Sequence, residues 1–123
     1  MLADPELDNL AYMMFDGLSK VLGAENVLVY PYIRYFQGDT DCWHITNFLR
    51  GYTQPPGYAV KHGTPEKSFE ELAGMMEEFD IVYLSSARTH AVHALRMFKM
   101  HCNRLPPLVF SDGEDHQNHR MLL

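Results

Sequence analysis

The start of the chain carries the apolar pattern of an amphipathic helix. Apolar side chains recur at intervals of three and four, which places them on one helical face: Leu7, Leu10, Ala11, Met14, Leu18, Val21 and Leu22. Asp4 stands where a helix cap is expected, and Pro5 suits the first helical position because its missing N–H would have no partner there. Gly23 suits the left-handed residue that ends a helix. The pattern therefore predicts a helix between Pro5 and Gly23.

Three short apolar runs predict β-strands, at residues 27–30, 81–84 and 108–110. The first run is nearly continuous, which is typical of a strand with both faces covered, and the second is also expected to be buried. Pro31 ends the first run, and Ser111 begins a polar turn after the last. We therefore expect a short sheet in the interior of the protein.

Two further helices are predicted between these strands. Ser68 and Glu71 have the spacing of a capping box, and an apolar face continues from there through Leu72, Met75, Met76 and Phe79. Ser85 and Ser86 are placed to cap a third helix, which extends to about Cys102 and has one apolar side: Ala91, Ala94, Leu95, Phe98 and Cys102.

Residues 32–67 lack any such periodicity. Glycine and proline punctuate this stretch, at Gly38, Gly51, Pro55, Pro56, Gly57, Gly63 and Pro65. Connections of this length are uncommon unless they are functional. We expect part of it to form short strands or turns, or a binding surface.

The order of these elements predicts the fold class. Strands that alternate with helices imply right-handed crossovers and a parallel sheet with helices on its faces. The expected fold is α/β, a small three-layer Rossmann-like domain with a short, mainly parallel sheet. A chain of 123 residues matches the size of one domain, so residues 1–123 are expected to form a single α/β domain. Residues 119–123 resemble the first turn of another helix, and we therefore expect this domain to be the N-terminal lobe of a longer protein.

Composition narrows the classes of partner and compartment. The chain has 16 acidic and 10 basic residues, a formal net charge of −6, and no basic stripe that could follow a phosphate backbone, so nucleic acid is not an expected partner. No segment approaches the roughly 18 apolar residues of a membrane-spanning helix, and the acidic start is unlike a secretory signal. The two cysteines are expected to be reduced thiols. These features predict a cytoplasmic protein without an integral membrane segment.

Polar residues follow the second and third predicted strands, where ligands of open parallel sheets bind. Ser85, Ser86 and Arg88 supply hydroxyls, helix amides and a guanidinium that suit a phosphate or a sugar hydroxyl, although a serine cap beside a solvated arginine has the same residues. A denser group of acids and imidazoles follows the third strand: Asp112, Glu114, Asp115, His116 and His119.

Such a group has several possible roles. Carboxylates and imidazoles this close can share a divalent cation, bind sugar hydroxyls or alter one another's proton affinity, and acid-rich turns are also often only solvated. Neighbouring parallel strands deliver their carboxyl ends to the same side of a sheet. We therefore predict one ligand-binding cleft, formed by Ser85, Ser86, Arg88, Asp112, Glu114 and Asp115.

The histidines do not by themselves indicate a metal site. His90 with His93 and His116 with His119 have His-x-x-His spacing, but zinc sites use such pairs only with further ligands. The spacing of the other candidates, Cys42, His101 and Cys102, does not demand zinc. The chain contains no glycine-rich phosphate loop, nucleophile elbow or zinc-peptidase motif. We therefore expect no metal and no cofactor, and the sequence identifies no catalytic residue.

Several segments carry a family resemblance. Residues 79–86 read FDIVYLSS, residues 107–115 read PLVFSDGED, and the opening contains GLSKVLG at 17–23 followed by the apolar run that ends at Pro31. Together with Gly-Tyr-Thr at 51–53, they resemble the N-terminal region of bacterial glycosyltransferase-like proteins. The family's turn often has Phe where this chain has Tyr52. The resemblance implies a two-lobed transferase of GT-B type, in which the N-terminal lobe tends to hold the acceptor and the C-terminal lobe the nucleotide sugar.

The resemblance gives the favoured functional hypothesis. The chain would be the acceptor-side or scaffold domain of a glycosyltransferase-like protein, with a sugar or phosphosugar acceptor and a C-terminal nucleotide-sugar-binding lobe as partners. It would not be a complete transferase alone, because the diphosphate-binding residues of the second lobe have no counterpart here. The alternatives are a small metal-binding or protein-interaction domain built around the histidines, and a receiver-like signalling module. A receiver would carry acids after the first strand, where this chain has Tyr30-Pro31-Tyr32.

Overall fold

The computed structural model describes residues 1–5, 9–37, 64–86 and 88–111, and the structural statements that follow concern these residues. The regular elements are three α-helices and two β-strands: α1 Asn9–Leu22, α2 Phe69–Gly74, β1 Val82–Leu84, α3 Thr89–His101 and β2 Leu108–Phe110. Short 3₁₀ turns lie at Ala24–Asn26, Arg34–Gln37 and Met76–Glu78. None of the helices in these ranges is long and apolar enough to cross a membrane.

β1 and β2 form a two-stranded parallel sheet. The pairs are Val82 with Leu108, Tyr83 with Val109 and Leu84 with Phe110. The Val82 N–H donates to the Pro107 carbonyl at 2.9 Å. The two strands are connected through α3, which supplies the long crossover that parallel neighbours require. The predicted mixture of helices and strands with a parallel sheet is therefore confirmed.

The first residues of the chain lie beside this sheet, which was not predicted. Leu2 forms parallel bridges with Tyr30 on one side and Leu84 on the other. The Ala3 N–H donates to the Tyr30 carbonyl at 3.0 Å, and the Ser85 N–H donates to the Leu2 carbonyl at 3.0 Å. The backbone order across these segments is therefore Tyr30, Leu2, Leu84 and Phe110.

The predicted strand at residues 27–30 is wrong as a regular strand. Only Tyr30 takes part in a bridge, because its partner is the short stretch around Leu2 and offers few backbone groups for pairing. The burial of the run was predicted correctly, since Val27, Leu28 and Val29 are all buried. The second predicted strand begins one residue late, at Val82, and Ile81 before it is 44% exposed.

Helix α1 buries a face that differs from the predicted stripe. Ala11, Tyr12 and Phe15 are buried, and the Phe15 ring stacks on Phe36 with 5.2 Å between ring centroids. The predicted stripe was wrong in the last turn, where Val21 is 82% exposed. The aromatic side chains at positions 12 and 15 turn the buried face toward Phe36 and away from the last turn. Gly23 follows the helix with φ of 89°, as predicted for the residue that ends it.

The capping box before α2 is confirmed. The Ser68 hydroxyl accepts from the Glu71 N–H at 3.1 Å, and the Ser68 N–H donates to a Glu71 carboxylate oxygen at 2.8 Å. This carboxylate has a lowered pKa because it accepts the Ser68 N–H and lies beside Lys67. The reciprocal bonds fix the start of a helix that is too short to be stable alone.

The predicted caps of α3 are wrong, although its apolar side is confirmed. The helix begins at Thr89 with Arg88 in the cap position, so Ser85 and Ser86 lie too far upstream to cap it. The buried residues are Ala91, Val92, Ala94, Leu95 and Phe98. The third predicted strand is confirmed as β2, in which Leu108 is 47% and Val109 42% exposed; within the described ranges its strand neighbour is β1.

The core consists of two clusters that meet along the extended segments. Leu2 and Leu28 belong to the cluster that contains Leu72, Leu95 and Phe98 from α2 and α3. The other cluster contains the neighbours of Leu2 and Leu28 in the same extended segments together with the buried face of α1. Its members include Ala3, Val27, Val29, Ala11, Tyr12 and Phe15. Successive residues of an extended chain point in opposite directions. The chain near Leu2 and Leu28 therefore separates the α1 side of the core from the α2 and α3 side.

Candidate ligand site at the carboxyl ends of the strands

The carboxyl ends of three extended segments meet at one edge. Ser111 directly follows β2, and its N–H donates to the Leu84 carbonyl at 3.3 Å while its hydroxyl donates to the Ser85 carbonyl at 3.1 Å. Ser85 in turn is hydrogen-bonded to Leu2, two residues before Asp4. We call this edge the rim and define it by the residues that follow the three segments: Asp4, Ser85, Ser86, Arg88, His90 and Ser111.

Half of the predicted cleft falls within the described residues. Ser85, Ser86 and Arg88 lie at the rim. The acidic members lie outside the described residues, as do two of the histidines: Asp112, Glu114, Asp115, His116 and His119. Ser111, which precedes them in sequence, is hydrogen-bonded to Ser85. The shared cleft itself stays a prediction.

The two serines of the rim are buried and differ in their hydrogen bonds. Ser85 and Ser86 are each 1% exposed. The Ser86 hydroxyl accepts from the Arg88 N–H at 3.3 Å. The Ser85 hydroxyl has no hydrogen-bond partner among the residues described. A buried hydroxyl without a partner costs about 1–3 kcal/mol, so the Ser85 side chain is an unfavourable buried polar group within the described residues.

Asp4 is the buried carboxylate of the rim. Its side chain is buried, and one carboxylate oxygen accepts from the His90 N–H at 3.2 Å. The His90 ring Nδ1 lies 3.3 Å and 3.4 Å from the two carboxylate oxygens. The His90 side chain is 59% exposed. A buried carboxylate therefore links the N-terminal segment to the first turn of α3 and orients a solvent-accessible imidazole.

This arrangement changes the electrostatics that the sequence suggested for the start of α3. Helix N-termini attract anions because their free amides and the helix dipole carry partial positive charge. Here the Asp4 carboxylate already takes that place through the His90 N–H. The rim has hydroxyl, carboxylate, imidazole and guanidinium groups, which together can bind hydroxyl groups or accept a proton from one. In the ranges that the structure describes, no cluster of three His, Cys, Asp or Glu residues could hold a metal ion.

A cavity lies at the amino end of the extended segments, opposite the rim. It is a cavity of about 90 Å³ with a largely apolar lining that includes Leu18, Leu22, Met76 and Phe79. Met1 also lines this cavity, and its buried amine donates to the Leu28 carbonyl. Burial lowers the pKa of this amine from 8.0 to about 5. Because the lining of the cavity is mainly apolar, it has few groups that could orient a polar substrate.

Cys102 follows α3 and does not have the environment of a nucleophile. Its thiol donates to the Ala73 carbonyl with 3.8 Å between sulfur and oxygen. Burial, and to a smaller degree the nearby Glu77, raise the pKa of the thiol. Reactive cysteines instead have a depressed pKa, since the thiolate is the nucleophile. Cys102 is partly buried and packs against the core cluster, which agrees with its predicted place on the apolar side of the third helix.

Sequence reasoning missed the pairing of Asp4 with His90. It assigned Asp4 to the cap of a helix starting at Pro5, a prediction that involves residues 6–8 outside the described ranges, and it treated His90 as half of a histidine pair. The two residues are 86 positions apart, so no local spacing connects them. The apolar pair Leu2–Ala3 directly before Asp4 is too short to indicate a strand, so the sequence carried no clear signal of this contact.

Comparisons with known proteins identify no relative of this chain. No protein-family model, curated protein or solved structure matches the chain. Functional inference therefore depends on the geometry of the rim and on the motifs in the sequence.

Proposed function

We propose that this chain is the acceptor-side or scaffold domain of a two-lobed glycosyltransferase-like protein and is not a complete transferase alone. The proposal includes a small three-layer Rossmann-like fold, a cytoplasmic location, and a C-terminal lobe that binds the nucleotide sugar. The segments FDIVYLSS and PLVFSDGED, which resemble that family, contain β1 and β2 and the rim residues Ser85, Ser86 and Ser111 that follow them.

The observation that carries the proposal is the meeting of three carboxyl ends at the rim. In open α/β sheets, ligands bind beyond the carboxyl ends of strands, at the point where the chain order across the sheet reverses. The order Tyr30, Leu2, Leu84, Phe110 has such a reversal between Leu2 and Leu84, and Asp4 and Ser85 follow these two residues. The two core clusters on either side of the extended segments support the three-layer part of the proposal.

The acceptor site of the proposal combines the rim with the acids that follow it in sequence. Ser85, Ser86 and Arg88 supply hydroxyls and a guanidinium, and Asp112, Glu114 and Asp115 supply carboxylates. Sites for sugars need several convergent donors and acceptors of this kind. A chain with only these groups binds an acceptor but has no means of activating a nucleotide sugar.

The proposal is tested by titrating the protein with neutral glycosides and nucleotide sugars while amide resonances are followed by NMR. Glycosides at millimolar concentration should perturb the resonances of Ser85, Arg88 and Ser111. Asp112→Ala should weaken this binding by about tenfold, the equivalent of about 1.4 kcal/mol for one lost charged hydrogen bond. Asp16→Ala is the matched control, because Asp16 lies on α1 and pairs with Lys20. Unchanged rim resonances with every sugar would rule out acceptor binding.

A further inference from the structure

We propose that the apolar cavity at the amino end of the extended segments binds the end of a single alkyl chain, while the polar group of that molecule stays in solvent. The cavity has a volume of about 90 Å³. The described residues that line it include none of the rim, so the inference does not depend on the proposed function.

The walls of the cavity come from both core clusters. Leu72, Met76 and Phe98 line it from the cluster that contains α2 and α3. Leu18 and Val27 line it from the side of the cluster that contains α1. The cavity therefore lies where the two parts of the core meet, and side chains of the core itself hold its walls in place.

The lining favours hydrocarbon over charged groups of a ligand. Among the described residues, none that lines the cavity has a charged side chain, and apart from Asn26 and two tyrosines the lining side chains are apolar. The Asn26 side-chain amide donates to the Leu22 carbonyl at 2.7 Å. The Met1 amine donates to the Leu28 carbonyl, and its pKa of about 5 leaves it uncharged at pH 7. A ligand carboxylate in the cavity would therefore lose water without gaining an opposite charge.

The cavity is open to solvent on one side. Leu22 and Ile81 both line it, and they are 50% and 44% exposed. Leu22 is the last residue of α1, and Ile81 directly precedes β1. The apolar lining thus continues from the interior to the surface beside these two residues. A ligand chain that covers them removes further apolar surface from water, which favours binding.

The size of the cavity fits a chain end better than a compact molecule. An engineered cavity of about 150 Å³ lined by Leu, Ile and Phe stays dry and binds one benzene molecule. The present cavity is smaller, at about 90 Å³, and it is open rather than closed. It therefore accepts a few methylene groups of a flexible chain, and the rest of that chain covers Leu22 and Ile81.

Octyl glucoside and methyl glucoside test the inference, because they have the same head group and differ in the alkyl chain. Each is titrated into the protein below the micelle concentration of octyl glucoside, while amide and methyl resonances are followed by NMR. We expect octyl glucoside to shift the resonances of Leu72 and Met76, and methyl glucoside to leave them unchanged. Shifts at Ser85 and Arg88 report on the rim, so this inference and the proposed function can fail independently.

Leu22→Asp and Val21→Asp form a matched pair of variants at the end of α1. Both place one carboxylate at an exposed position of the last turn, but of the two residues only Leu22 lines the cavity. Leu22→Asp should weaken the binding of octyl glucoside by about tenfold, because it removes apolar contact and puts a charge at the opening. Val21→Asp should bind as the wild type. If Leu22→Asp does not fold, Ile81→Asp takes its place.

Three results would overturn the inference. Equal losses of binding in the two variants would assign the shifts to general adsorption of the detergent. Shifts at Leu72 and Met76 that are as large with methyl glucoside as with octyl glucoside would exclude a role for the alkyl chain. Changes in these resonances with protein concentration alone would assign the cavity to a second copy of the chain.

Discussion

At the scale of single residues, the buried amine of Met1 connects stability to pH. Its pKa falls from 8.0 in an exposed amine to about 5 in the folded chain because burial disfavours the charged form. Between pH 5 and pH 8 the unfolded chain holds a proton that the folded chain has lost, so the free energy of unfolding should rise with pH across this window and level off above it. The difference between a pKa of 8.0 in the unfolded chain and about 5 in the folded chain corresponds to about 4 kcal/mol in the free energy of unfolding.

Urea unfolding at several pH values between 5 and 8 measures this effect. Histidines titrate in the same range, so the protein with a free amine should be compared with protein acetylated on the Met1 nitrogen. Acetylation removes the titrating amine and leaves every histidine in place. We expect the free-amine protein to have the steeper rise of stability with pH, and equal slopes for the two forms would contradict the assignment.

At the scale of elements, Phe98 joins α3 to two other parts of the fold. Its ring centroid lies 4.6 Å from that of Phe69 in α2 and 5.4 Å from that of Tyr30, and the residue is 1% exposed. Phe98→Ala should therefore lower the free energy of unfolding by about 3–5 kcal/mol. Met100→Ala is the control on the same helix, since Met100 is 76% exposed and its loss should change stability by about 0.5 kcal/mol at most. Similar losses in the two variants, measured by chemical denaturation, would contradict this packing.

Local sequence patterns predicted the helices and strands, but the positions of these elements in the fold depend on pairings between residues far apart in sequence. The capping box of Ser68 and Glu71 and the end of α1 at Gly23 are determined by a few neighbouring residues, so they could be predicted from spacing alone. The pairing of Leu2 with Tyr30 and Leu84 could not, because a three-residue segment at the start of a chain has no periodicity. The Asp4–His90 contact was missed for the same reason, since it follows from that pairing.

At the scale of the whole molecule, the rim is assembled from residues far apart in sequence. Asp4 reaches it only when the N-terminal segment lies between Tyr30 and Leu84, and Ser111 reaches it only when β2 pairs with β1. The rim is therefore a product of the complete parallel arrangement rather than of any one motif. A change that dislodges the N-terminal segment should also alter the start of α3, because Asp4 connects the two.

The edge of β2 that faces away from β1 indicates that copies of the protein can self-associate. Among the described residues β2 pairs only with β1, and Leu108 and Val109 are 47% and 42% exposed. Unpaired backbone groups beside exposed apolar side chains template association, and natural edge strands often block this with lysine. We expect the wild type to self-associate as its concentration rises in sedimentation-velocity runs, and Val109→Lys to reduce this while changing the free energy of unfolding by less than about 1 kcal/mol. Val21→Lys is the control, because Val21 is 82% exposed on α1 and lies outside any strand. An equal reduction by both lysines would assign the association to net charge and not to the edge of β2.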